Sequence, residues 1–309
     1  MEKLFSVLEE TINKAAINEF KCFIAKFHDV TKWFICSDYC LDDKDKPNDV
    51  ITFVIFPYIF DFPTWLDFVK HLQKTDLKNC RTISKEFCTF SHSGLVFSFN
   101  FMIDKKSIVK KWKDKTTLHK SIDDFINLIN KHWIFTTPHM IEYYNKLVKK
   151  LKYLKSEMNK KSFNYKLLSQ IFLITFLASY LKYLLYRETD YIEVFSWLSD
   201  RGKMTGFCDG VYGTLFEIIS YCLCANHLPE FKYKYVKECL PAGNDMFYDE
   251  VNRVADFICG GIASYDLVSK VVNQEKHCTL VEDVIADNPN IQILRIGKMN
   301  VSRIIHRKL

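Results

Sequence analysis

Three aspartates in this chain stand where chemistry can be done. Asp38 lies in Ser37-Asp38-Tyr39, Asp200 in Ser199-Asp200-Arg201, and Asp256 in Arg253-Val254-Ala255-Asp256-Phe257. The first two close stretches that read as β-strands, and the third sits on a helix. Side chains at the ends of neighbouring strands converge, and a helix packed across that edge adds another. Carboxylates gathered in this way repel each other unless a cation lies between them. Mg²⁺ or Mn²⁺ prefers such oxygen ligands and keeps positions for water and substrate phosphate. Two ions about 3.5–4 Å apart would clamp a phosphodiester and activate water. The expected chemistry is metal-dependent phosphodiester hydrolysis, with Asp38, Asp200 and Asp256 as metal ligands. Each acid also has a plainer use. Asp38 can begin a turn, Asp200 can cap the next helix or pair with Arg201, and Asp256 can pair with Arg253.

The helix carrying Asp256 is expected over 246–265. Asp249, Arg253, Asp256 and Gly260 recur at spacings of four, three and four, so they share a side. Val254, Phe257, Ile258 and Ile262 cover another. Gly260-Gly261 costs the helix about 1 kcal/mol per glycine, which implies that its backbone must approach something closely. Asp249 would assist the three acids, and Arg201 and Arg253 would contact phosphate or orient the carboxylates.

Between Lys146 and Lys166 stand eight lysines against one glutamate, with Tyr143 and Tyr144 just ahead of them and Tyr153 and Phe163 interleaved. Lys149, Lys150 and Lys152 are the candidates for contact with a nucleic-acid backbone; a solvated helix face is the commoner use of such a run. The terminal Arg303–Lys308 reads as a basic tail, and His277 and His306 read as surface residues.

The positioning elements follow from periodicity. Residues 2–27 carry a helical repeat. Strands are expected at 31–39, 50–58, 95–103, 191–198 and 291–296, with a weaker one at 231–240. Helices are expected at 61–72, 121–133, 138–155, 162–187 and 204–224, with another around 278–286. The polar turn between the first two strands makes a hairpin. The run 50–58, VITFVIFPY, is apolar throughout, as in a central strand covered on both faces. The helix-rich block at about 116–187 reads as an insertion in a single α/β domain spanning 1–309.

The chain's 309 residues are 48% hydrophobic and 26% charged, enough for a substantial core. Glycine (9) and proline (7) are scarce beside phenylalanine (26) and tyrosine (16), which favours long elements. The net charge of +6 permits nucleic-acid contact without arguing for it. Eleven cysteines, scattered and without zinc-ligand spacing, imply reduced thiols in a cytoplasmic protein. The uncharged run 167–181 is too short for a span of about 20 residues and reads as a buried helix, so no membrane span is expected.

The order strand–Asp, hairpin, strand, helices, strand–Asp, then a helix with Arg253-Val254-Ala255-Asp256-Phe257 resembles the RNase H-like fold. More narrowly, it is similar to the bacterial proteins of domain of unknown function 3800. The resemblance rests on the order and placement of three short windows. It implies a mixed central sheet of RNase H-like order flanked by helices, with a helical insertion, and a Mg²⁺- or Mn²⁺-dependent nuclease, of a kind that serves in anti-phage defence. That family usually opens with Asp-Glu-Ser-Gly, whereas Tyr39 follows Asp38 here; Asp249 or Glu250 would then supply the further carboxylate. The alternative is a non-catalytic sensor or interaction subunit of a defence complex on the same fold, with protein partners. A membrane-associated effector using 167–181 is the third reading.

Overall fold

A computed structural model describes residues 2–104, 114–133, 137–200, 202–229, 248–267, 269–272, 274–298 and 300–308. The chain divides into two compact units. The first comprises Met1–Ile108, Tyr186–Asp200 and Lys234–Leu309, and the second Val109–Leu185 and Arg201–Tyr233.

The first unit is built on a six-stranded mixed sheet in the order β4-β1-β2-β3-β5-β6. Its strands are β1 (Lys32–Cys40), β2 (Asp49–Pro57), β3 (Phe97–Ile103), β4 (Val194–Ser199), β5 (Ile291–Ile296) and β6 (Val301–Ile304). β1 and β2 form the expected antiparallel hairpin, with Asp38 opposite Thr52. β4 runs parallel to β1, placing Ser199 beside Ser37. β3 pairs antiparallel with β2 and parallel with β5.

Strand alternation sends two sets of side chains to opposite faces. Trp33, Phe97 and Phe99 meet Phe20 and Phe23 of the N-terminal helices on one face. Those helices are α1 (Glu2–Ala15) and α2 (Ile17–Lys26), divided at Ala16 where the backbone leaves the helical region (φ −133°). The even-numbered residues Phe34, Cys36, Val50, Val54 and Phe56 face the other way. They share a core with α3 (Phe62–Leu72), α4 (Lys85–His92) and α9 (Asp249–Ser264). Asp61 caps α3 through the Thr64 N–H (2.8 Å), and Ser84 caps α4 through the Phe87 N–H (3.0 Å).

The second unit contains α5 (Lys115–His132), α6 (Pro138–Met158), most of α7 (Tyr165–Glu188) and α8 (Val211–His227). Phe125 stacks on Phe172, and Trp133 meets Tyr144 and Tyr221 edge-on. α7 is long and apolar enough to cross a membrane, but 89% of its most apolar window is buried, as a core helix requires. α8 starts later than the expected residue 204. Cys208, Asp209 and Gly210 all have positive φ, which keeps 203–210 in turns. The strand expected at 231–240 lies outside the described residues.

Three expectations are corrected. The segment Arg303–Lys308 is no loose tail. It begins within β6, and Arg303 pairs with Glu19, Arg307 with Asp287 and Lys308 with Asp283. His277 is buried rather than on the surface, and burial pushes its imidazole down to about 4, helped by Lys46 and Lys276. His306 is largely covered, with its ring edge-on to Tyr265. For the tail and His306 the physical reason is shared: β6 extends the sheet beyond β5, so chain that looked polar enough to be a terminus is held against the core. His277 is buried for another reason, because the short helix Glu275–Thr279 packs against α9.

The glycine pair of α9 does permit close approach. A Cβ on Gly260 would fall 2.1 Å from Cδ2 of Leu77, and one on Gly261 would fall 3.0 Å from Cβ of Leu280. The Leu77 tip can rotate away, whereas Leu280 Cβ is fixed to its backbone. Gly261→Ala is therefore expected to lose stability despite the helix-propensity gain of about 1 kcal/mol. Overpacking costs about 1–3 kcal/mol, and a lower urea midpoint would register it.

Candidate functional site

Asp38 and Asp200 are brought together by strand register. β1 and β4 are parallel neighbours in which Ser37 lies beside Ser199, and the Asp200 N–H donates to the Ser37 carbonyl (2.9 Å). The next pair along is Asp38 and Asp200. Both follow the even parity that faces α9, which crosses this end of the sheet and carries Asp256. Asp38, Asp200 and Asp256 are each half-buried.

Three α9 residues at spacings of four and three fasten the helix, Asn252 and Cys259 to the sheet and Asp256 to the loop after α3. Asn252 accepts from the Ser37 N–H (3.1 Å) and donates to Asp200 Oδ1 (3.4 Å). Asp256 accepts from the Leu77 N–H (3.0 Å). The Cys259 thiol donates to the Val50 carbonyl (3.9 Å) and its charge environment is set by the neighbouring Asp38. Tyr248, just before the helix, donates its hydroxyl to the Ser199 carbonyl (3.0 Å). At the other end, Asn48 of the β1–β2 turn donates to the carbonyls of Ile262 (2.9 Å) and Tyr265 (2.6 Å), satisfying groups that a helix terminus leaves open.

A buried polar line continues from Asp38 across the sheet. Thr52 stands opposite Asp38 and Asn100 opposite Thr52. Thr52 donates to Asn100 Oδ1 (2.8 Å), and Asn100 donates to Ser98 Oγ (3.0 Å) and to the Gln292 carbonyl (3.1 Å). On the opposite face a second network ties the same strand ends. The Tyr39 hydroxyl bonds Ser37 Oγ (2.5 Å) and Ser199 Oγ (3.0 Å), while Trp197 donates to Ser37 Oγ (2.9 Å).

The electrostatics follow from this crowding. Burial pushes the Asp38 carboxyl up to about 7, and the charges of Asp256 and Asp200 add to the rise. Burial also raises Asp256, with Asp76 adding to it and the Leu77 N–H, Arg253 and Lys276 opposing it. Burial pushes the Cys259 thiol well up, as does the adjacent Asp38.

The other candidates fall in different places. Arg253 does not bond Asp256. Its Nε bonds Asp76 (2.9 Å) and its Nη1 donates to the Gln73 carbonyl (2.7 Å), clasping the loop between α3 and α4. Asp256 thus sits at the border of two α9 faces, one toward the sheet and one toward this loop. Asp249 is exposed in the first turn of α9. Arg201 lies outside the described residues. Lys149, Lys150 and Lys152 are on α6 in the second unit; Lys150 bonds the Asp209 carbonyl (2.8 Å), while Lys149 and Lys152 are exposed.

Asn252, Cys259 and Thr52 were missed as site residues. The Asn252–Asp256–Cys259 spacing was visible, but a helix bearing polar residues on several sides does not reveal which of them meets the sheet. Asn252→Ala is expected to cost about 1–3 kcal/mol, because it leaves the Ser37 N–H buried and unpaired; urea unfolding measures it.

The donor chemistry suits a hard divalent cation, being carboxylate oxygen throughout. Among the described residues, no three His, Cys, Asp or Glu side chains lie placed to hold one ion together. A pair suffices for Mg²⁺, which is commonly held by one or two carboxylates with water and substrate phosphate. Asp38 and Asp200 stand on adjacent strands at matching register. No protein-family model, curated protein or solved structure matches this chain.

Proposed function

We propose that Asp38 and Asp200 form a two-carboxylate divalent-cation site, with Asp256 nearby on α9, at which phosphodiester bonds of nucleic acid are hydrolysed. The observation that supports this reading is convergence. Residues far apart in sequence meet at one corner of the sheet, two on parallel neighbouring strands and one on the helix above. The RNase H-like resemblance implies acids at two strand ends and one on a helix, and the defence setting goes with that resemblance alone. Asp38 and Asp200 would hold Mg²⁺ or Mn²⁺ between the strand ends, with Asp256 approaching from α9. The ion would polarise the phosphoryl oxygen and lower the pKa of a bound water. The protein's own part is placement. Asn252 fixes Asp200 relative to β1, Cys259 lines the site beside Asp38, and the Leu77 N–H orients Asp256.

A second reading, a non-catalytic interaction protein on the same scaffold, is favoured by the engagement of Asp256 with Leu77. The two separate in one assay. Wild type and Asp256→Asn are incubated with single- and double-stranded DNA and RNA, with Mn²⁺ or with a chelator. Mn²⁺-dependent cleavage by the wild type that disappears in the variant is the expected result. No cleavage, or equal cleavage by both proteins, sinks the nuclease reading.

A further inference from the structure

Helix α6 has two unlike sides. Tyr144, Leu147, Val148, Leu151, Leu154 and Met158 are buried, at the spacing of a core-facing stripe. Asn145, Lys149, Lys152, Tyr153 and Ser156 are exposed along the other side, each with a neighbour three or four residues away. From 138 to 166 there are eight lysines against two acids, Glu142 and Glu157, an excess of six that equals the net charge of the whole chain. The charge that composition spreads over the chain is thus matched by one segment.

The acids do not neutralise the middle of this face. Glu142 pairs with Lys146 (2.7 Å) and Glu157 with Lys160 (2.6 Å), while Lys155 is drawn aside to Asp123 and Lys150 to Asp209. Lys149 and Lys152 lie exposed between the two pairs, and beside them Tyr153 shows 47% of its surface to solvent. A solvated helix face needs lysines but gains nothing from an exposed tyrosine. A phosphate chain with accessible bases uses both, because cations track the backbone and aromatic rings stack on bases whatever their identity. Residues three and four apart on a helix have Cβ atoms about 5–6 Å apart, comparable to the phosphate repeat of an extended strand.

We infer that the exposed face of α6 binds single-stranded nucleic acid, with Lys149, Lys152 and the neighbouring lysines on phosphates and Tyr153 stacked on a base. This names the substrate class for the reading above and rests on it for biological sense, but the binding itself is independent of the acids. Bases buried in a duplex cannot reach Tyr153, so the face discriminates single strands from double.

The test is fluorescence anisotropy of labelled oligothymidylate and of a matching duplex with the 309-residue chain, in a chelator so that nothing is cut. Tighter binding of the single strand is expected, with affinity falling as salt rises. The Lys149→Gln/Lys152→Gln variant is expected to flatten the logarithmic salt slope by about 1.4, at about 0.7 per lost single-strand phosphate contact. Tyr153→Ala is expected to weaken binding roughly tenfold or more. All three positions are exposed, so the variants should keep the wild-type thermal midpoint. Unchanged binding in both variants overturns the inference, as does equal or tighter duplex binding, or affinity shown only for anionic lipid vesicles. Binding without any Mn²⁺-dependent cleavage leaves this surface standing and removes the catalytic reading; cleavage that survives in the α6 variants with unchanged affinity does the reverse.

Discussion

Asp38→Asn is expected to lose Mn²⁺-dependent cleavage and yet to be the more stable protein at about pH 8. Partners of metal ligands typically matter about 10–100-fold, so removing a ligand itself should cost at least about 100-fold. The stability gain comes from relieved crowding. In the folded protein the Asp38 carboxyl is pushed up to about 7 by burial and then by Asp256 and Asp200, against about 3.9 in an unfolded chain. A raised folded pKa means the native state holds the proton more tightly. Its contribution is therefore complete below about pH 4 and is lost as pH rises through about 7. One pKa unit corresponds to about 1.4 kcal/mol. Because Asp38 is half-buried and shares its shift with two neighbours, the realised loss is on the order of 1–3 kcal/mol after solvent screening. Asparagine stays neutral, so the variant should match the wild type below about pH 4 and exceed it above about pH 7. Urea midpoints across that range measure the gap, and Mn²⁺ should close it by stabilising only the wild type. A variant no more stable at about pH 8 would show that the acids are not crowded.

Trp65→Ala is expected to cost about 3–5 kcal/mol, the range for removing a buried aromatic side chain. Trp65 is fully buried on α3 and lies edge-on to Phe56 (5.2 Å), Phe60 (5.4 Å) and Phe68 (6.0 Å). It anchors the helix whose following loop supplies the Leu77 N–H to Asp256, so lost packing there should reach the site. Its indole N–H is buried without a hydrogen-bond partner among the described residues. Trp65→Phe gives up volume but also removes that unpaired donor, so it should cost much less than the alanine variant. Denaturant midpoints for the pair decide it; equal losses would mean that the N–H finds a partner in solution.

Local pattern was enough for most elements. The apolar runs at 50–58 and 95–103 are β2 and β3, because side chains covered on both faces of a sheet leave little room for polar residues. The periodic stretches at 61–72, 138–155 and 162–187 are helices within a few residues. α4 was missed since Lys85–His92 is short and mixed, and β6 was missed since four residues carry too little alternation to register. The three acids could be nominated from their places at the ends of elements, and the close approach at Gly260-Gly261 from the cost of glycine in a helix.

What the amino-acid order determined by itself was which residues are apolar, where strands and helices run, and which acids lie at their ends. Only tertiary structure decided how those ends meet. Register between β1 and β4 put Asp38 beside Asp200, and a shift of one residue would have sent one of them to the opposite face. The rotation of α9 about its axis chose Asn252 and Cys259 for the sheet, set Asp256 at the border with the Leu77 loop and gave Arg253 to Asp76, a choice made by packing across the whole helix. Contacts between residues two hundred positions apart leave no periodic trace in either segment, and for that reason the corner itself was not legible until the chain had folded.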